Sequence, residues 1–110
     1  MTLAQRIDMY KHKKLFVDSI SKVFELEELY SNVIKIQYTV LTKYSFSLER
    51  DVYFEFVVVT FDSGAQSVRH VSGTSNNGIF VEIGKLINGG YYDEIPFFND
   101  LINECTFLKL

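Results

Sequence analysis

Cys105, His70 and His12 are the only thiol and imidazole side chains in the sequence. No two of them stand at the short spacing from which zinc sites are built, so neither a metal nor another cofactor is expected. Cys105 and His70 could pair as nucleophile and base, since contact in space does not need closeness in sequence. Cys105, however, falls on the apolar stripe of a C-terminal helical segment, where cysteine behaves as a small inert hydrophobe. Asp93–Glu94 and Asp100–Glu104 are carboxylate pairs. General acid–base chemistry needs two carboxylates across a cleft with separated pKa values, and a domain this small leaves little room for one. The segment Gly73–Gly78 precedes a helix, where free amides can hold an anion. It lacks both the lysine of a phosphate-binding loop and the G-x-G-x-x-G pattern, and reads as a connector capped by Ser75 or Asn76. The chain therefore reads as a non-enzymatic protein with no catalytic residues.

Charge narrows the choice of partner. Net charge is −3, from 11 basic and 14 acidic side chains. The two signs balance up to residue 75. Beyond it, Lys85 and Lys109 face Glu82, Asp93, Glu94, Asp100 and Glu104, so the whole excess lies in the last third. A nucleic-acid binder shows clustered charge of the opposite sign. An acidic third suits a basic protein surface. The one basic run, Lys11-His12-Lys13-Lys14, is flanked by Tyr10 and Phe16 and could contact nucleic acid by charge and stacking. Acidic residues cancel it within the same helix, so it reads as a solvated face. The longest apolar run, Phe56 to Val59, is far below the roughly 18 residues that span a bilayer. With no signal-peptide layout at the N-terminus and a single cysteine, a cytoplasmic location is expected.

These residues must be held by a single α+β domain over 1–110. Thr2 and Gln5 have capping-box spacing. Leu3, Ile7, Tyr10, Val17, Ile20 and Phe24 then mark one face of a long helix to about Leu29, with Lys11, Lys13, Lys14 and Lys22 on the other. Ile34, Ile36, Tyr38 and Val40 alternate with polar residues as a half-buried strand. Residues 45–51 turn the chain. Val52 to Phe61, apolar on both faces, makes the central strand, and Gln66 to Val71 a more polar edge. Ile79, Phe80, Ile83, Leu86 and Ile87 return to helical spacing, ended by Gly89-Gly90. A last helix starts near Asp93 and Pro96 and turns Phe97 or Phe98, Leu101, Ile102 and Cys105 to the core. The expected order is α-β-β-β-α-α, with a three-stranded antiparallel sheet.

The stretch from Gly84 to Leu101, GKLINGGYYDEIPFFNDL, resembles the end of a small family of phage anti-CRISPR proteins that inhibit Cas9. The likeness lies in a helix ending at an Asn-Gly turn, a short acidic linker bearing tyrosines, and a helix entered through aromatics and Asn-Asp. Thr106-Phe107-Leu108-Lys109-Leu110 and the element order are also similar. The chain departs from the family in its longer first helix, its more aromatic strands and its weaker acidity. The resemblance implies a protein partner, Cas9 or another bacterial defence nuclease, and a partner face formed by Glu82, Asp93, Glu94, Asp100 and Glu104. The aromatics Tyr91, Tyr92 and Phe97 stand beside these acids as anchors of the kind common in interfaces. Two other readings remain: a self-associating accessory protein of phage or mobile-element origin, as a homodimer through its aromatic strands, and a small regulatory nucleic-acid binder.

Overall fold

A computed structural model describes residues 1–26, 32–89 and 94–110. The first helix, α1, runs Leu3–Leu26. The capping box closes as its spacing demands: Thr2 N–H donates to Gln5 Oε1 at 2.8 Å, and Gln5 N–H donates to Thr2 Oγ1 at 3.2 Å. Tyr10, Val17 and Ile20 are buried, while Leu3 stays exposed. Lys13 belongs to the buried stripe, three residues from Tyr10 and four from Val17. It points inward rather than to solvent. The expected final turn of α1, residues 27–29, lies outside the described residues.

Three strands follow in a meander: β1 (Val33–Ser45), β2 (Arg50–Phe61) and β3 (Gln66–His70). The hairpin is longer than the sequence suggests. β1 and β2 stay paired out to Ser45↔Arg50, so the turn shrinks to residues 46–49. The sheet has four strands rather than the expected three, in the order β3-β2-β1-β4. The fourth, β4 (Thr106–Phe107), pairs antiparallel with Thr42 and Leu41 of β1. Two residues carry no periodicity, so only their meeting with β1 defines them as a strand. β2 is interior and β3 an edge, as the apolar pattern of one and the polarity of the other require.

A register shift between Val33 and Lys35 corrects one further expectation. Such a bulge puts two residues opposite one and reverses the alternation locally. Val33 is therefore buried, and Ile34, expected inside, is 55% exposed.

Helices cover both faces of the sheet. α1 and α2 (Asn76–Ile87) share one core with Ile36, Tyr38, Val40, Val57 and Val59. α3 (Ile95–Glu104) lies on the other face over Leu41, Phe56, Val58 and Val68, through Leu101, Phe98 and Ile102. Ser75 caps α2, its side chain accepting the Gly78 N–H, and Gly89 leaves the helix at φ +74°, a left-handed conformation that favours glycine. Pro96 sits in the first turn of α3, where its missing N–H costs nothing. No helix among the described residues is long and apolar enough to cross a membrane.

Candidate functional site

The acids expected to form one partner face divide into two sets. Arg69, on β3, reaches both Glu82 of α2, at 3.2 Å from its Nε, and Glu94 at the start of α3. Lys85 Nζ lies 3.4 Å from the second oxygen of Glu82. Glu94 also accepts the His70 N–H at 3.2 Å, and its own N–H donates to the Val68 carbonyl at 3.1 Å. Glu94 therefore seals the open side of β3 and ties α3 to it. Glu82 and Glu94 are half-buried and their charge is met by Arg69. Asp100 is on the surface and makes no ion pair among the described residues, and Glu104 is exposed beside Lys43 at 3.2 Å. Tyr91, Tyr92 and Asp93 lie outside the described residues.

Phe97 is 42% exposed, yet its ring centroid lies 5.8 Å from Phe56 and 5.5 Å from His70. One side of the ring is packed and the other faces solvent. On the same face, α3 covers only part of the sheet. A groove of about 210 Å3 opens between Phe98, Phe107 and Val58, with Gln37, Thr39 and Gln66 lining the rest. Phe107 is 54% exposed at its rim. This face thus presents aromatic surface, two exposed carboxylates, Asp100 and Glu104, and a small cleft lined by both aromatic and polar side chains.

Cys105 caps α3 and is half-buried against the core beneath it. Burial pushes its thiol pKa up, the reverse of an activated nucleophile, with Lys43 and Glu104 as its charged neighbours. His70 instead contacts Ser72: its Nε2 lies 2.6 Å from Ser72 Oγ. Burial lowers the His70 pKa, opposed by the Glu94 and Glu55 carboxylates. A serine–imidazole contact can serve hydrolase chemistry only if amides nearby are free to hold an oxyanion. Here the Glu55 N–H donates to Ser72 Oγ at 2.9 Å and the Gly73 N–H to Glu55 Oε2 at 3.0 Å. Both amides are engaged in closing the edge of β2. Among the described residues, no cluster of three or more His, Cys, Asp or Glu could hold a metal ion.

The most elaborate polar arrangement belongs to no sequence motif. Glu55 is 5% exposed in the middle of β2. Its Oε1 accepts Lys13 Nζ at 2.6 Å and the Tyr38 hydroxyl at 2.5 Å, and its Oε2 accepts Gly73 N–H. Burial, then the bond to Glu55, pushes the Tyr38 pKa far up, and burial with Glu55 nearby raises Tyr10 too. The Tyr38 phenol is fixed as a donor to Glu55 within the core. A signal for it does stand in the sequence: Glu55 is the one charge between Val52 and Phe61, and a charge inside an apolar strand must find partners. The hairpin tip is a second feature that no motif marks. Phe46 is 86% exposed there.

No protein-family model, curated protein or solved structure matches the chain.

Proposed function

We propose that this chain is a non-enzymatic binding protein that inhibits a bacterial defence nuclease, with a Cas9-type enzyme the first partner to test. The observation that carries the reading is α3, where Phe97 stands exposed on the same side of the helix as Asp100 and Glu104, at helical spacings of three and four. Aromatic anchors flanked by charge are the usual make-up of a protein interface. The likeness of residues 84–101 to a Cas9-inhibiting family runs from the end of α2 into α3 and suggests the partner class.

The pairing of Glu82 and Glu94 with Arg69 shifts the weight of this reading. A carboxylate already neutralised contributes little to a partner's basic surface. Asp100 is therefore the first charged contact, with Glu104 held only by an exposed pair to Lys43, and the aromatic rings are the anchors, so binding rests on packing more than on imitation of nucleic acid. The test is direct: purified Cas9 loaded with guide RNA is incubated with the chain, then assayed for target-DNA binding and cleavage. Inhibition at near-stoichiometric ratio, relieved by Phe97→Ala with Asp100→Asn, supports the proposal. Full cleavage with no complex on size exclusion, across a panel of such nucleases, overturns it.

A further inference from the structure

The β1–β2 ribbon leaves the body of the protein. β4 stops at Thr42 and β3 begins to pair at Phe56, so the last rungs, Lys43–Ser45 with Arg50–Val52, have no further strand beside them among the described residues. The turn carries three large apolar side chains, Tyr44, Phe46 and Leu48, all exposed. It is nonetheless ordered in detail. Tyr44 and Phe46 meet edge to face at 5.1 Å, Ser45 Oγ accepts the Leu48 N–H at 3.3 Å, and Glu49 closes the turn at φ +54°. A tip held in one shape loses little entropy on docking.

At the other end of the ribbon lies the groove between Phe98 and Phe107. Small-molecule sites occupy roughly 300–1,000 Å3. A groove of about 210 Å3 is too small for that and suits a single aromatic side chain. Its strand row ends at Lys35, which is exposed and makes no ion pair among the described residues. The tip carries Glu49, Arg50 and Asp51, all exposed and without an ion pair among the described residues, which leaves it one net negative charge. The groove takes one ring between Phe98, Phe107 and Val58, and the tip's net negative charge is opposite to that of Lys35. A tip cannot reach its own groove, because both lie on one extended ribbon roughly 25 Å apart at ~3.3 Å per residue.

We propose that this chain pairs with a second copy of itself, each inserting Phe46 of its hairpin tip into the groove between Phe98 and Phe107 of the other. Reciprocal insertion closes the pair about a two-fold axis, whereas one-way insertion would leave a growing filament. Two tips and two grooves bury on the order of 1,000 Å2, the lower limit for a specific interface, so the dimer is a weak one.

Sedimentation velocity from roughly 10 μM to 1 mM, a range that brackets a weak dimer, tests the proposal. The expected mass rises from 12.8 kDa towards twice that value. Phe46→Ser and Phe107→Ser each raise Kd about tenfold or more. An equimolar mixture of the two variants recovers part of the association, because the mixed pair keeps one tip and one groove. Gln66→Arg, which fills the groove from β3 without touching β4, gives the same loss and guards against a folding defect in the Phe107 variant. A monomer throughout, or assemblies that grow past the dimer, overturns the proposal. So does wild-type pairing by both groove variants, which would mean that the tips pack on each other.

Discussion

Glu55 and Phe56 are neighbours in β2 and therefore point to opposite faces of the sheet. Under α1 and α2, Glu55 anchors a core whose members run from Tyr10 to Ile87. Its three bonds, to Lys13, Tyr38 and the Gly73 amide, connect α1, β1, β2 and the loop before α2. Under α3, Phe56 anchors a smaller core of rings, with Phe98 at 4.8 Å and His70 at 5.0 Å between centroids. One face is closed and fixed by directional polar bonds. The other is closed by stacking and left partly open, and the groove, Phe97 and the exposed acids all belong to it.

That contrast can be broken most sharply at Glu55. Removing one member of a buried ion pair leaves the other uncompensated, so Glu55→Ala is expected to destabilise by about 3–5 kcal/mol. Urea unfolding measures it, and a loss below about 1 kcal/mol would mean that Lys13 and Tyr38 find other partners. Phe56→Ala, fully buried on the other face, is expected to cost a similar ~3–5 kcal/mol. Its effect should differ in kind. Aromatic near-UV signals should change while far-UV helix content persists, and a loss of α1 signal equal to that in Glu55→Ala would erase the distinction between the faces.

The two faces should also fail at opposite ends of the pH scale. Tyr38 and Tyr10 hold their protons more tightly folded than unfolded. Their contribution is complete below about pH 10, the unfolded tyrosine value, and falls as pH rises beyond it. Tyr38→Phe should flatten that alkaline decline. His70 holds its proton less tightly when folded. Its contribution is complete above about pH 6.5 and falls as pH drops below it. Unfolding midpoints of His70→Gln between about pH 5 and 8 should show a shallower acid slope than the parent, and an identical slope would remove His70 from the account.

The smallest effects belong to the exposed acids. Glu104→Gln breaks a surface pair with Lys43, and Asp100→Asn breaks none among the described residues, so both should change stability by less than about 1 kcal/mol. Any larger effect on nuclease binding than on thermal midpoint would place them at the interface, and the reverse would assign them to the fold.

Much of the architecture was legible because it is local or periodic. The capping box at Thr2 and Gln5, the α2 cap at Ser75, the ending at Gly89 and the interior position of β2 all follow from residue type at fixed spacing. Three features did not. Ile34 turned outward because a bulge reversed the strand's alternation. Lys13 turned inward because a helix stripe of Tyr10, Lys13 and Val17 met a carboxylate 42 residues away. β4 formed because the end of α3 delivered two residues to the free edge of β1.

The candidate site divides the same way. Asp100, Glu104 and Phe97 were identifiable as charge and aromatic surface on a helix whose apolar face is plain in the sequence. That Arg69 would claim Glu82 and Glu94 was not, because the three come from β3, α2 and the start of α3 and meet only in space. What the sequence by itself determined is the order of the helices and of the three long strands, with most of their buried positions, since both depend on spacings of two to four residues along one chain. Tertiary structure alone decided which charges are neutralised and where the sheet stays uncovered. An ion pair and a groove each need side chains from separate elements, and their meeting is set by how those elements pack.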